Sequence, residues 1–196
     1  MLDGIFFGEG EARAGQLAAI LAPAGAQGKG AALHRAAAEV TGFWAAGDLH
    51  PEPPTVKAVC DLDPTRLATA YPLLNSPQVR AADLQINYGC PAFCSFCFEG
   101  YDRKPYRELP LDDLLPAAAR LKGAQGAEEV NLYSFNFNTH QDILALLLAL
   151  HRLYYRVGLK SQRADILQHT PLLLEAEVVA PGWVGRDKLA TVRLIE

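Results

Sequence analysis

Three cysteines lie close together in this chain and are its residues best suited to metal chemistry. Cys90, Cys94 and Cys97 follow the pattern C-x-x-x-C-x-x-C, directly after the strand-like run 84–88. Three thiolates presented by one short loop can bind three irons of a cubane iron–sulfur cluster. The fourth iron then lacks a protein ligand, and an open coordination position is where chemistry at a metal takes place. The spacing therefore favours a [4Fe-4S] cluster with one open iron.

Zinc binding and thiol redox chemistry are the alternatives for these cysteines. A structural zinc site usually combines paired C-x-x-C knuckles or clustered histidines. The only other cysteine, Cys60, lies thirty residues before Cys90, and the five histidines are scattered. A disulfide framework is typical of small secreted chains, and the N-terminus does not resemble a signal peptide. Iron–sulfur ligation is therefore favoured, and Cys60 is expected to be a half-buried apolar residue rather than a ligand.

Length and composition indicate a globular protein with one full-sized domain and a smaller additional region. The chain has 196 residues, of which 50% are hydrophobic and 20% are charged, and its net charge is −4. The longest apolar stretch, 143–150, is too short to cross a bilayer, so no membrane partner is expected. No basic run or arginine–aromatic stripe is present, so no nucleic acid partner is expected. Cysteines suited to a cluster, without an export signal, predict a cytoplasmic protein.

The chain from residue 84 onward repeats a strand–loop–helix order. The predicted strands are 84–88, 129–137, 156–161 and 189–195, and the predicted helices are 111–121, 140–153 (with Thr139 as N-cap) and about 170–178. Repeated strand–helix units predict a parallel sheet, because crossover helices must cover its faces. In barrels built from such parallel strand–helix units, functional groups gather at the C-terminal ends of the strands. The cysteine loop, residues 89–98, follows such an end.

The region before residue 84 is predicted to be less regular. It consists of a strand at 4–7 followed by a Gly-Glu-Gly-Glu turn, a helix at 12–21, a loop at 23–30, a short helix at 31–40, a linker at 42–54 and a short strand at 56–59. Glycines after a strand allow a tight turn and a close approach of the backbone to a helix or a ligand. Such a turn alone does not identify a ligand.

The run 83–108, together with the strand–helix order after it, resembles the N-terminal half of the partial barrel of radical S-adenosylmethionine (SAM) enzymes. The resemblance implies an α/β fold with about four of six strand–helix units present. It also implies that the open iron binds SAM and that an electron from the cluster cleaves SAM to a 5′-deoxyadenosyl radical. An electron donor such as flavodoxin or ferredoxin would be a partner. By motif position, Cys90, Cys94 and Cys97 would hold the cluster, and Phe96 would pack beside the adenine; alternatively, Phe96 is a core residue under the loop.

The upstream segments resemble the junction that follows a Rossmann-like cobalamin-binding domain in some radical SAM enzymes. This resemblance implies three regions: the end of a cobalamin-binding domain with a linker (1–54), a bridging segment (55–82) and the N-terminal half of the barrel (83–196). The D-x-H-x-x-G motif that supplies the lower ligand of cobalamin is absent, so cobalamin is a conditional expectation. The chain is accordingly expected to be part of a longer enzyme.

Further SAM contacts are expected at the ends of the second and third strands. The Gly-Gly-Glu motif common there is absent, and Ser134, Asn136 and Asn138 are expected on one polar face. Asn136 or Asn138 would accept from the SAM ammonium, although Asn138 is equally suited to capping a turn. Lys160 and Arg163 would bind the SAM carboxylate or an acidic substrate; a solvated loop is the alternative. No residue is assigned a catalytic role.

Three functions fit these observations. The first is the incomplete core of a cobalamin-associated radical SAM enzyme, which transfers methyl groups or rearranges an unidentified small-molecule or peptide substrate. The second is a truncated remnant that binds a cluster without enclosing SAM, and the third is a zinc- or cluster-binding interaction module. Metal content separates the third from the others, and turnover of SAM separates the first from the second.

Overall fold

The structure is a computed structural model that describes residues 2–11, 13–63 and 81–173. The chain divides into two compact units, Met1–Asp61 and Leu62–Glu196, and the division falls inside the predicted bridging segment 55–82. The predicted strand 189–195 and most of the predicted helix 170–178 lie outside the described residues. Among the described residues, no helix has the length and apolarity needed to span a membrane.

The first unit is a helical pair with a two-stranded sheet. Strand β1 (Gly4–Phe6) pairs antiparallel with β2 (Phe43–Ala45), and between them lie α1 (Ala14–Leu21), a 3-10 turn (Ala22–Ala24) and α2 (Gly25–Glu39). The prediction of a loop over 23–30 is wrong from Gly25 onward, because the helix extends through Gly28 and Gly30. Its remaining length is rich in alanine, the strongest helix former, and buries Ala32 and Ala36. The predicted linker 42–54 contains β2, and the predicted strand 56–59 is reduced to a bridge between Ala58 and Gly8.

The second unit is built on a three-stranded parallel sheet, as the strand–helix order predicts. Its order is β3–β6–β7, with β3 paired to β6 and β6 to β7, both parallel. In chain order the elements of this unit are β3 (Ala81–Gln85), β4 (Asn87–Tyr88), α3 (Glu99–Asp102), β5 (Arg107–Glu108), α4 (Leu111–Gln125), β6 (Glu129–Tyr133), a 3-10 turn (Phe137–Thr139), α5 (Ile143–Leu153), β7 (Arg156–Gly158) and α6 (Ala164–His169). The fold of this unit is therefore α/β.

The core of the second unit lies between the sheet and the helices α4 and α5. Apolar residues recur at helical spacing and are fully buried, among them Leu114 and Leu121 of α4 and Leu146 and Leu150 of α5. Such spacing places side chains on one face of a helix, and that face packs on the sheet. Helix α4 ends at Gly126, whose φ of 63° is the left-handed conformation that glycine adopts readily.

The three predicted strands of this unit that lie within the described residues end earlier in the structure than in the prediction. The first ladder ends at Gln85, and β4 pairs instead with β5 in a separate antiparallel ribbon. Strand β6 ends at Tyr133, because side chains there bond to the backbone: the Asn136 N–H donates to Ser134 Oγ (3.1 Å), and Thr139 Oγ1 donates to the Asn136 carbonyl (2.7 Å). Such local bonds compete with a strand ladder.

The third strand and the second helix differ from the prediction for related reasons. Strand β7 ends at Gly158, and the Ser161 carbonyl accepts from the Phe137 N–H (3.0 Å) rather than from a strand. Helix α5 begins at Ile143 rather than His140, so Thr139 is not its N-cap. Helix α6, the short α3 and the β4–β5 ribbon were not predicted.

Candidate cluster and cofactor site

The cysteine loop and the polar residues after β6 leave the sheet at the same edge. The register pairs Gln85 with Tyr133, the last residues of β3 and β6, and the Ile86 N–H donates to the Tyr133 carbonyl (3.2 Å). Because the two strands are parallel and end at the same level, the segments that follow them are brought together. This edge is the C-terminal one, where functional groups gather in parallel α/β sheets.

Gly89 sets the direction in which the cysteine loop leaves β4. Its φ is 73°, and a Cβ atom at this position would overlap the carbonyl oxygen of Arg103 and lie 2.9 Å from that of Pro105. No other residue type fits both the conformation and the space. The glycine therefore allows the start of the loop to pack directly on the backbone of the 103–105 segment.

The three predicted cluster ligands lie on this loop with different exposure. Cys90 is buried, whereas Cys94 and Cys97 are partly exposed, and the Cys97 N–H donates to the Cys94 carbonyl (3.0 Å). Neither these three cysteines nor Cys60 forms a disulfide. Within the described ranges, no three side chains of the His, Cys, Asp or Glu type are gathered in metal-ligating positions. The ligand assignment therefore stays a prediction.

A hydrogen-bond donor lies beside one of these sulfurs, and a cation interacts with another. The Nδ2 of Asn136 lies 3.2 Å from the Cys90 Sγ. The Arg163 guanidinium interacts with the Cys94 side chain. A hydrogen-bond donor and a cation are suitable neighbours for a negatively charged sulfur, and the thiolate is the form that binds iron. The chemistry of this donor set fits the predicted cluster.

Ser134, predicted to contact SAM, is engaged in a local network. Its hydroxyl donates to the Oδ1 of the buried Asn87 (2.8 Å) and accepts from the Asn136 N–H. The hydroxyl therefore connects β4 to the segment after β6. A role in SAM binding stays a prediction.

Asn138 is buried and bonded at both ends of its carboxamide. Its Nδ2 donates to the Arg163 carbonyl (2.8 Å), and its Oδ1 accepts from the Arg163 N–H (2.9 Å). The side chain thus fixes the segment after β7 to the 3-10 turn. The carboxamide bonds to the backbone of Arg163 rather than capping the turn into Thr139, and a role in SAM binding stays a prediction.

Arg163 is paired with a neighbouring carboxylate. Its guanidinium makes two hydrogen bonds to Asp165, at 3.0 and 2.6 Å. This pairing raises the pKa of Arg163 above its ordinary value, with Cys94 as a smaller contribution, and it lowers the pKa of Asp165. The arginine therefore interacts with both Asp165 and Cys94 at a partly exposed position, and its predicted role in binding a carboxylate stays a prediction.

The remaining predicted residues are exposed. Lys160 lies with its Nζ 5.6 Å from the centre of the Tyr133 ring. Phe96 is 90% exposed, so the alternative that it is a core residue under the loop is wrong. Its predicted position beside an adenine remains a prediction.

A cavity of about 620 Å³ opens between the cysteine loop and the ends of β6 and β7. Pro91 and Ala92 line it from the loop, Asn138 and His140 from the turn after β6, and Arg163 from the segment after β7. This volume lies within the usual range of small-molecule sites. The cavity is bounded on one side by the predicted cluster loop and on another by a cation.

Residues 99–107 follow the cysteine loop, and two of them bond to neighbouring groups. The Lys104 Nζ donates to the Cys90 carbonyl and lies 3.8 Å from the centre of the Phe93 ring. The Tyr106 hydroxyl donates to Glu108 (2.7 Å), and burial raises the pKa of Tyr106 to about 12. The mixture of charged and aromatic residues in this segment was the available sequence signal.

The comparison with protein families agrees with the loop and its place in the sheet. The model of the family described as "Radical SAM superfamily" matches residues 84–182, from within β3 across both parallel crossovers. The chain belongs to the radical SAM superfamily. Membership implies a [4Fe-4S] cluster and SAM as cofactors, and it identifies the chain as an enzyme by resemblance.

Several curated relatives of this radical SAM chain share the name tRNA-2-methylthio-N(6)-dimethylallyladenosine synthase. The protein from Shewanella frigidimarina is 32% identical over 138 residues, which cover 59% of this chain and 29% of the relative. The protein from Verminephrobacter eiseniae is 29% identical over 162 residues, which cover 79% and 32%. That from Aeromonas hydrophila is 35% identical over 101 residues, which cover 47% and 21%. The chain therefore spans a third or less of the length of these relatives.

Proposed function

We propose that this chain is the cluster-binding core of a radical SAM enzyme and that it reductively cleaves SAM. The observation that carries the proposal is the family match over residues 84–182, which includes the three-cysteine loop at the C-terminal edge of a parallel sheet. When bound, the cluster and SAM supply a 5′-deoxyadenosyl radical for hydrogen abstraction. The protein's contribution is to bind, orient and shield the reactants.

The residues of the cysteine loop and of the segment after β7 have separate roles in this proposal. Cys90, Cys94 and Cys97 hold the cluster. Arg163, fixed through its backbone by Asn138, lies at the cavity in an ion pair with Asp165 and interacts with Cys94. The guanidinium charge suits the carboxylate of SAM or of an acidic substrate. Phe96, exposed on the loop, offers an aromatic face for the adenine.

For the substrate, we propose an adenine-type nucleoside in RNA. The support is the shared name of the relatives, which states that they make a 2-methylthio-N(6)-dimethylallyladenosine in tRNA. The expectation that the chain has no nucleic acid partner rests on net charge and the lack of a basic run, and it remains untested. This chain spans a third or less of each relative, and part of the RNA contact is proposed to lie within it.

Cobalamin-linked methyl transfer is a finer proposal that neither the family nor the relatives support. It rests on the resemblance of the upstream segments to a cobalamin-domain junction. Absorbance of the purified chain after incubation with hydroxocobalamin tests it directly. Protein that retains the absorbance of cobalamin after desalting would support it, and protein without that absorbance would count against it.

Cleavage of SAM is tested with the whole chain after anaerobic iron–sulfur reconstitution. The proposal predicts that reduced protein converts SAM to 5′-deoxyadenosine and methionine, measured by liquid chromatography. The matched control is the chain with Cys90, Cys94 and Cys97 all replaced by alanine, which is expected to form neither product. A reconstituted wild-type chain that binds a cluster but forms no 5′-deoxyadenosine would overturn the proposal in favour of a non-catalytic remnant. Stoichiometric zinc instead of iron would favour the interaction module.

The RNA proposal needs a separate measurement. Binding of the chain to tRNA whose N(6)-dimethylallyladenosine lacks the 2-methylthio group is measured by mobility shift at several salt concentrations. We expect retardation that weakens as salt rises, because phosphate contacts release counterions. Absence of binding by this chain at low salt would contradict an RNA contact within it.

A further inference from the structure

The bond between Asn136 and Cys90 assigns a role to a residue that the cluster motif does not include. We propose that Asn136 is a positioning residue that donates its side-chain N–H to the Cys90 sulfur and thereby raises the reduction potential of the cluster. The inference rests on the proposed function, because it requires Cys90 to be a cluster ligand. It differs from the expected role of Asn136 as an acceptor for the SAM ammonium, which would use the carbonyl oxygen of the same side chain.

Two hydrogen bonds fix the backbone of Asn136. Its N–H donates to Ser134 Oγ (3.1 Å), and its carbonyl accepts from Thr139 Oγ1 (2.7 Å). Ser134 in turn donates to the buried Asn87 Oδ1 (2.8 Å). The residue is therefore held between β4 and the 3-10 turn, and its carboxamide is directed to the Cys90 sulfur, with Nδ2 at 3.2 Å.

The orientation of the carboxamide follows from the charge of a ligating cysteine. A thiolate accepts hydrogen bonds, so it attracts the NH₂ group and repels the carbonyl oxygen. A flipped carboxamide would direct Oδ1 at the sulfur and would be destabilised. The donor orientation is the one that a cluster-bound Cys90 selects.

The effect on the cluster follows from electrostatics. Reduction adds negative charge to the cluster and its thiolates, and a donor to a ligand sulfur stabilises that charge. Hydrogen bonds to the sulfurs are among the determinants of iron–sulfur potentials. Cys90 is buried, and a hydrogen bond is stronger electrostatically where water is excluded. Loss of this donor is therefore expected to lower the potential.

The experiment compares midpoint potentials of reconstituted proteins in redox titrations monitored by EPR. Asn136→Ala removes the donor, and Asn136→Asp replaces it with a carboxylate of the same shape. We expect both midpoints to fall below that of the wild type, with Asn136→Asp the lower of the two because it adds a negative charge. Asn131→Ala is the matched control, because Asn131 lies on β6 and its Nδ2 donates to Asp83 (3.0 Å) rather than to a cysteine. Its midpoint is expected to equal that of the wild type.

A third variant keeps the test informative if both Asn136 variants lose iron. Ser134→Ala retains the Asn136 donor but removes the hydroxyl that accepts its N–H, and it is expected to lower the midpoint by less. Iron-loaded Asn136 variants that keep the wild-type midpoint would overturn the inference. If those variants bind no iron, a Ser134→Ala chain with the wild-type midpoint would overturn it. Either result would leave the proposed function intact. A wild-type chain that assembles no iron–sulfur cluster would overturn the proposed function, and this inference with it.

Discussion

Asn138 bonds to the backbone of Arg163 in the way that a neighbouring β-strand would. One end of its carboxamide donates to the Arg163 carbonyl at 2.8 Å, and the other accepts from the Arg163 N–H at 2.9 Å. These two bonds join the turn after β6 to the segment after β7, beyond the point at which the sheet ladder stops. The guanidinium that borders the cavity is therefore attached to a backbone held by a buried side chain.

Replacement of Asn138 by alanine is expected to destabilise the second unit. The change leaves an N–H and a carbonyl of Arg163 without their partners, and loss of a buried hydrogen-bond partner costs about 1–3 kcal/mol. The free energy of unfolding, measured by urea denaturation, is expected to fall by that order. Asn131→Ala, in the more exposed strand position, is the control. An Asn138→Ala chain as stable as the wild type would show that the two hydrogen bonds to the Arg163 backbone do not contribute to stability.

Replacement of Gly89 by alanine is expected to disrupt the cysteine loop. The residue has a φ of 73°, and a Cβ would overlap the Arg103 carbonyl oxygen. Alanine at such a position destabilises by more than about 1 kcal/mol. Thermal unfolding and the iron bound after reconstitution are both expected to decrease.

Gly123→Ala is the matched control for Gly89→Ala. Gly123 lies inside α4, and a Cβ at this position meets nothing within 4 Å. Alanine in a helix interior is favoured over glycine by about 0.5–1 kcal/mol. A stabilised Gly123→Ala chain beside a destabilised Gly89→Ala chain is the expected pair of results, and equal effects would contradict the role given to Gly89.

Single alanine replacements of the cysteines are expected to distinguish the three predicted cluster ligands from Cys60. Replacement of Cys90, Cys94 or Cys97 removes one of three protein ligands and is expected to abolish stable cluster assembly, measured as iron and sulfide per chain. Cys60→Ala is expected to retain the cluster, because Cys60 lies in the first unit, where its N–H donates to Glu9 (2.8 Å). If Cys60 proved indispensable and Cys90 did not, the ligand assignment would be wrong.

His151 is expected to make the fold sensitive to acid. Burial lowers the pKa of His151 from 6.5 to about 4, so the folded chain disfavours its charged form. Between these two values the unfolded chain binds more protons than the folded one, and stability therefore falls as pH decreases through that window. We expect urea midpoints to decline from pH 6.5 toward pH 4, and His151→Leu to reduce the slope. An unchanged slope in the variant would assign the acid sensitivity to other groups.

The sequence predicted the family and the parallel sheet better than the ends of the helices and strands. The three-cysteine spacing and the strand–helix order were sufficient for the family and the parallel sheet, because both are local patterns. The ends of the strands were not predictable from alternation, since Ser134 and Thr139 bond to the backbone at Asn136 and end β6 early. The first part of the helix Gly25–Glu39, residues 25–30, was missed because glycines outnumber alanines there, whereas the alanine-rich remainder was predicted as a helix.

The contacts that organise the site could not be predicted from spacing. Asn136 and Cys90 are 46 residues apart in sequence, and they meet because β3 and β6 are parallel and end at the same level. Asn138 and Arg163 are brought together in the same way by β6 and β7. Polar residues after parallel strands were recognisable as candidates, but their partners depend on register.

The central claim is that the cysteine loop holds a cluster with an iron open to SAM. The most direct test is EPR of the anaerobically reconstituted and reduced chain, recorded with and without SAM. We expect a reduced [4Fe-4S] signal whose g-values or line shape change when SAM is added, because SAM would bind the open iron. A cluster signal that is indifferent to saturating SAM would contradict the claim.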